Sequence, residues 1–285
     1  MPVSIAALLR SVAQQLADAG VPDPVVDAEL LIGHVAGLAR GGVQAAAIRG
    51  DELPESDAET LADLVRRRAA REPLQHLTGT APFRHLELAV GPGVFVPRPE
   101  TEQVVQFAID ALLNAADAEP IGIDLGTGSG AIALAMATEV PHAEVYAAEL
   151  SPQAHVWAAR NTAGVENLTL VLADLADAFA ELDGRAAVVI SNPPYVPDDA
   201  IPRDPEVRLH DPATALYGGP DGLDIVRVLS RRALALLRPG GLLVIEHGEL
   251  QGAEIRALLT ADGWRAAATH PDLTHRDRAT TALRP

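Results

Sequence analysis

Apolar residues recur at helical spacing through the first part of the chain. Ile5, Leu8, Leu9, Val12 and Leu16 share one helical face and Gly20 follows as a stop, which predicts an amphipathic helix. A second helix is predicted to open with Asp23 as cap and Pro24 in its first turn. It carries Val25, Ala28, Leu31, Ile32 and Val35 on one face and ends near Gly37. A later helix carries Leu61, Leu64 and Val65 ahead of Arg66, Arg67 and Arg68. No strand pattern interrupts residues 4–75, so this part reads as a small helical bundle, with the arginine cluster on a solvated helix face.

The pattern changes between Pro82 and Val96. Leu86, Leu88 and Val90 alternate with other positions, and Gly91-Pro92-Gly93 then turns the chain into Val94-Phe95-Val96, which predicts a β-hairpin. From Pro97 onward short apolar runs alternate with helical stretches. Strands are predicted at 121–125, 144–149, 168–173, 186–191 and 242–246, with helices beginning near Ser129, Ser151, Leu223 and Glu249. A further helix opens at Pro99-Glu100-Thr101-Glu102, with proline and acids in its first turn. Such alternation implies an α/β domain with a mostly parallel sheet covered on both faces. Segments 264–269 and 280–283 would close it with an antiparallel edge. The expected division is a helical domain over 1–80, a hairpin connection over 81–97 and the α/β domain over 98–285.

Composition narrows the chemistry. The chain has no cysteine, which excludes disulfides, thiolate metal sites and cysteine nucleophiles and accords with a cytoplasmic setting. Its nine histidines show no metal-ligand spacing, so no metal is expected. All 22 basic residues are arginine against 39 acids, a net charge of −17 that opposes binding through many nucleic-acid phosphates. No apolar run reaches the roughly 18 residues that span a bilayer. Met1-Pro2-Val3-Ser4 lacks a basic n-region, so no signal peptide is expected.

Two stretches carry candidate chemistry. Ile121 to Gly130 runs from strand through a glycine turn into a helix, so Gly126, Thr127, Gly128, Ser129 and Gly130 can lay backbone N–H groups against a ligand. Glu149 ends the next strand, about 20 residues on, where a carboxylate can take the hydroxyls of a ribose. After the third strand, Asp174 could accept from an adenine amine and Leu175 could cover its face. Gly126, Gly128 and Ala131 also fit a dinucleotide pattern, so the loop alone leaves a nicotinamide-dependent oxidoreductase open. The second stretch is Asn192-Pro193-Pro194-Tyr195, directly after the apolar run 186–190. Proline fixes its own φ and extends the residue before it, so Asn192 is held at the strand end, where its amide and nearby carbonyls can grip a planar NH2 group. A Pro-rich turn with Asn as local cap is the plainer alternative.

Taken together, Asp124 to Gly130, the two later acids and Asn192 to Tyr195 resemble S-adenosylmethionine-dependent methyltransferases that act on planar nitrogen. Glu72-Pro73-Leu74-Gln75, Val96-Pro97-Arg98-Pro99-Glu100-Thr101-Glu102, Asp211-Pro212, Ala215 to Leu223 and Glu246-His247-Gly248 with Gln251 extend the resemblance to the peptide chain release factor N(5)-glutamine methyltransferases. That resemblance implies a Rossmann-like methyltransferase sheet preceded by a small helical domain that recognises the partner. The partner would be a class I peptide chain release factor, methylated on the glutamine of its Gly-Gly-Gln motif, with no direct binding of nucleic acid or membrane. It further implies that Gly126 to Gly130, Glu149, Leu175 and Asn192 hold S-adenosylmethionine, and that Asn192 to Tyr195 hold the glutamine. The chain departs from the family at Glu149, where Asp is commoner, at Leu175, where an aromatic is frequent, and at His85. Glutamine methylation of a ribosomal protein and methylation of an exocyclic amine in nucleic acid are the nearest alternatives. A binding module without catalysis is a more distant one.

Overall fold

The structure is a computed structural model that describes residues 2–285. The chain forms two units, one ending at Thr80 and taking in Arg203–His210, the other comprising Ala81–Pro202 and Asp211–Pro285.

In the first unit, β1 (Val3–Ser4) leads into α1 (Ile5–Asp18), followed by α2 (Pro24–Ala36), α3 (Arg40–Arg49), β2 (Glu52–Leu53), α4 (Glu55–Ala69) and α5 (Leu74–Thr78). The predicted apolar faces meet in one core containing Leu16, Ala28, Leu31, Ile32, Leu61 and Val65. Asp23 stands at the N-cap of α2 without a side-chain capping bond. The pattern did not predict α3, which buries only Val43 and Ala46. The arginine cluster is also corrected in part. Arg66 and Arg67 lie outside and pair with Asp63 and Glu72, but the Arg68 side chain is only 5% exposed. Arg68 falls on the same helix face as Leu64 and Val65, so α4 carries its guanidinium inward with them. It reaches Asp27 at 2.6 Å and Glu206 at 2.8 Å, and Glu206 also takes Arg71 at 2.9 Å. Segment 203–210 is thereby pinned to this unit by buried charge.

The hairpin exists, but with different strands. Its arms are β3 (Thr80–Phe83) and β4 (Leu86–Ala89), and Arg84-His85 make the turn. Arg84 takes φ +54°, held there by bonds from its guanidinium to Glu139 at 2.6 Å and Gln106 at 2.8 Å. Gly91-Pro92-Gly93 instead seats Trp157, whose indole N–H donates to the Pro92 carbonyl at 3.3 Å. Val94 and Val96 enter the core as irregular chain.

The rest of the second unit runs α6 (Pro99–Leu113), β5 (Ile121–Leu125), α7 (Ala131–Glu139), β6 (Glu144–Glu149), α8 (Pro152–Asn161), β7 (Leu168–Leu172) and β8 (Ala186–Ser191). After β8 come α9 (Pro205–His210), which belongs to the helical unit, then α10 (Ala213–Leu216), α11 (Asp224–Leu236), β9 (Leu237–Glu246), α12 (Gly252–Ala261), β10 (Arg265–Pro271) and β11 (Asp277–Leu283). The strand β9 begins at Leu237 rather than the expected Leu242. The seven-stranded sheet has the order β10-β11-β9-β8-β5-β6-β7, with β9, β8, β5, β6 and β7 parallel and β10 and β11 antiparallel at one edge. Val188 and Ile190 pack towards α6 and α7, while Ile123 and Val189 pack towards α11 and α12. Both faces of the central strands are therefore apolar, as a covered parallel sheet requires.

Candidate active site

The chain leaves β5 towards β6 and β7, then returns to lay β8 on the other side of β5. That reversal opens a crevice at the C-terminal ends of β5 and β8, where open α/β sheets bind ligands. The glycine loop leaves β5 there, and Asn192 to Tyr195 leave β8. Ser191, fully buried, ties the two ends together by donating to the Leu125 carbonyl at 2.5 Å.

The glycine loop is ordered from below. Gly126, Gly128 and Gly130 all have positive φ, at +78°, +59° and +84°, which L side chains resist. Asp124, fully buried, accepts from the Thr127 hydroxyl at 2.5 Å and from the Ala133 N–H at 3.2 Å, fixing the turn into α7. Its other oxygen has no partner, and burial pushes its pKa up to about 7. Asn161 holds the Ser129 carbonyl at 2.9 Å. At the end of β6, Glu149 accepts from Gly128 N–H and Ser151 N–H, both at 2.8 Å. Burial still raises its pKa against those bonds. Glycine loop and Glu149 thus form one hydrogen-bonded unit. Asp174 is exposed beyond β7, and its carboxylate accepts from the Ala176 N–H at 2.9 Å in a local turn. Leu175, half-buried, packs against the core beneath.

The Asn-Pro-Pro-Tyr loop rests on two glycines. A Cβ on Gly218 would lie 2.5 Å from the Pro194 carbonyl oxygen, and one on Gly222 would lie 2.3 Å from that of Tyr195. Gln251 donates to the same Tyr195 oxygen at 2.9 Å, and Val196 bonds the Leu216 carbonyl at 2.8 Å. Asn192 is half-buried, and its Nδ2 donates to the Thr101 hydroxyl of α6 at 3.4 Å. Beneath both lies Glu246 at the end of β9, 2% exposed, with its pKa pushed up to about 7 by burial. The Tyr195 hydroxyl is pushed up to about 12 by burial, with the Glu246 charge adding to it. Arg98, at the mouth of α6, pairs with Asp211 at 2.7 Å and lies 4.8 Å over the Phe95 ring. Among the described residues no His/Asp/Glu group is placed to hold a metal ion.

Comparison with known proteins sets this geometry in a family. Residues 7–79 match the PrmC N-terminal domain and residues 86–209 the methyltransferase small domain. A protein of Streptomyces coelicolor described as release factor glutamine methyltransferase is 50% identical, with 96% of this chain and 97% of that protein covered. This chain belongs to the release factor glutamine methyltransferase family. Another member, from Deinococcus radiodurans, is 43% identical with 97% of each chain covered. A 4-amino-L-phenylalanine/4-methylamino-L-phenylalanine methyltransferase of Streptomyces pristinaespiralis is 38% identical, with 99% of this chain and 95% of that protein covered. Among solved structures, the protein-(glutamine-N5) methyltransferase of Alicyclobacillus acidocaldarius is 30% identical, covers 68% of this chain and 98% of its own, and superposes with a TM-score of 0.43.

Asp124, Ser191, Gly218 and Gly222 stand within the quoted stretches of sequence, but no role of their own was legible there. Asp124 carries one signal, an acid inside an otherwise apolar strand. Ser191, Gly218 and Gly222 carry none that periodicity detects, because their roles are close approaches to chain distant in sequence. Thr101 reads both as near the cofactor end of the sheet and as a helix-start residue, and the fold brings it to Asn192.

Proposed function

We infer that this chain transfers the methyl group of S-adenosylmethionine to the side-chain amide nitrogen of the glutamine in the Gly-Gly-Gln motif of class I peptide chain release factors. The observation that carries the reading is the rigid Asn192 amide, set beside the glycine loop at the switch point of a release factor glutamine methyltransferase fold.

The residues present suit the cofactor. Glu149 is oriented by two backbone N–H groups and keeps lone pairs for the ribose hydroxyls. Leu150, 65% exposed beside it, offers an apolar surface to an adenine, as does half-buried Leu175. Asp174 lies at the end of the next strand, where it can accept from the adenine amine. Gly126, Thr127, Gly128, Ser129 and Gly130 let the methionine portion lie against the backbone.

S-adenosylmethionine supplies an electrophilic sulfonium methyl. The protein has to make an amide nitrogen attack it, although that lone pair is delocalised into the carbonyl. Asn192 Oδ1 and the Pro193 carbonyl accept the two amide hydrogens, concentrating density on nitrogen and aiming it along one line. Pro193 and Pro194 keep the acceptors from relaxing. Tyr195 packs against the glutamine side chain. As the C–N bond formed, the methyl's bond to sulfur would break and S-adenosylhomocysteine would leave, while the nitrogen would release one proton to solvent to give N(5)-methylglutamine. Rate comes chiefly from holding nitrogen in line at near-attack distance, an effect that reaches about 7 kcal/mol or more in well-oriented systems. The helical unit, outside this chemistry, recognises the body of the release factor. A substrate of translation places the reaction in the cytoplasm.

The test is incubation with methyl-labelled S-adenosylmethionine and, separately, a class I release factor, ribosomal proteins, DNA and 4-aminophenylalanine. Label on the Gly-Gly-Gln glutamine alone is the expected result. Label on another substrate with none on release factor would overturn the reading.

A further inference from the structure

Glu246 is a carboxylate in an expensive place. It is 2% exposed, one of its oxygens has no hydrogen-bond partner, and no backbone N–H is bonded to it as helix capping would require. The Thr101 hydroxyl and the Asn192 amide face it and draw its pKa down against burial, and Asn192 Nδ2 donates to Thr101 at 3.4 Å. Pairing of Ser191 with Ile245 across β8 and β9 sets Asn192 and Glu246 side by side at the two strand ends.

The three groups have a polarity. A side-chain amide presents a donor at one end and an acceptor at the other, and nothing in its shape decides which end faces outward. An ionised carboxylate only accepts. It takes the single proton of Thr101, leaves the Thr101 oxygen to accept from Asn192 Nδ2, and has no use for Asn192 Oδ1. Oδ1 makes no hydrogen bond among the described residues and is free for the substrate. Were the inner group a donor, the amide could turn over and present NH2 to the substrate's own NH2.

We propose that Glu246, acting through Thr101, is the positioning residue that fixes the acceptor end of Asn192 towards the substrate amide. The proposal rests on the functional reading above and adds a requirement to it. The charged and titratable groups facing Glu246 are Arg278 from β11, Glu100 from α6 and the Tyr195 hydroxyl, with His247, its pKa lowered by burial, next in the chain. Burial outweighs Arg278, so Glu246 titrates at about 7. Ionised Glu246 is the working form, so methyl transfer should rise with pH through that value and fall below it.

Single-turnover methyl transfer to release factor at saturating cofactor, across about pH 5.5 to 8.5, tests this. Glu246→Gln supplies a donor. It should lower the high-pH rate about 10²-fold, as misplacement at the reacting centre does, and flatten the pH profile, with cofactor affinity by calorimetry unchanged. Asn192→Asp, which can only accept, should restore at least about tenfold when combined with Glu246→Gln. Thr101→Val, which keeps the shape and removes the relay hydroxyl, should lower the rate in the same way and serves if Glu246→Gln does not fold. A Glu246→Gln or Thr101→Val protein with the parent's rate and pH midpoint overturns the positioning role while leaving the function intact. A parent inactive on release factor removes the functional reading, and the positioning role falls with it.

Discussion

Gly222→Ala tests whether the exact height of the Asn-Pro-Pro-Tyr loop matters. The new Cβ would sit 2.3 Å from the Tyr195 carbonyl oxygen and 2.8 Å from Gln251 Nε2, where ordinary contact begins at 3.4 Å. The opposing atom is backbone and cannot swing aside, so the loop must retreat by about 1 Å, a displacement that costs about 10²-fold when reacting atoms are held at near-attack distance. Gly222 also has φ +74°, which adds roughly 1–2 kcal/mol of backbone strain with alanine. Gly164→Ala separates the two effects, since Gly164 has φ +81° and nothing within 4 Å of the built Cβ. Both variants should lose stability to the strain by urea titration, and Gly222→Ala should lose more because the clash adds to it. Only Gly222→Ala should lose about 10²-fold in single-turnover methyl transfer, with S-adenosylmethionine affinity by calorimetry close to the parent's, because the glycine loop and Glu149 are untouched. A folded Gly222→Ala protein within about threefold of the parent rate would refute the idea that this carbonyl's position is under tight control.

Asn192→Ala should lower the single-turnover rate about 10²- to 10³-fold by removing one preorganised contact. Asn192→Asp should keep more activity than alanine towards low pH, where its carboxyl and that of Glu246 can share a proton, and a rate equal to alanine's at every pH would contradict this. Arg68→Met leaves Asp27 buried without its cation and Glu206 with Arg71 alone, and should cost about 3 kcal/mol in the urea unfolding of the helical unit. Asp124 and Glu246 both have folded pKa values raised to about 7. Their contribution to stability is therefore complete below their ordinary carboxylate range and is lost as pH rises through 7, about 3 to 4 kcal/mol each. The melting temperature of cofactor-free protein should fall from about pH 5 to 8, and Glu246→Gln should flatten part of that slope.

The α/β half was legible because its punctuation is strong. Glycine after β5 and proline after β8 interrupt apolar runs that have no other reading, and both interruptions fall at the sheet edge where ligands bind. The helix α3 was not legible, since two of its ten residues are glycine and only Val43 and Ala46 turn inward. The hairpin was assigned the wrong arms because Gly91-Pro92-Gly93 is a louder turn signal than Arg84-His85, whose conformation is imposed by Glu139 and Gln106. Arg68 reads as surface beside Arg66 and Arg67, and only the arrival of Asp27 and Glu206 explains why it is not. Glu246, at a strand end on the functional edge, reads equally as a brace for the Asn192 loop or as a cap for a neighbouring helix, and Thr101 reads as near that edge; what the sequence does not show is that the three meet. They come from α6, the end of β8 and the end of β9, and no local pattern joins them.

The excursion of Arg203–His210 into the helical unit has a consequence for anyone who would exchange helical units between relatives. A graft that replaces the chain up to Thr80 leaves Glu206 behind to meet foreign helices, and carries Arg68 and Arg71 away from the carboxylate they share. The natural cassette is discontinuous. Chimaeras that transplant 203–210 together with the N-terminal stretch keep its buried charges matched, whereas single-junction chimaeras strand an acid a short way downstream of Tyr195, where the disturbance would be mistaken for altered specificity.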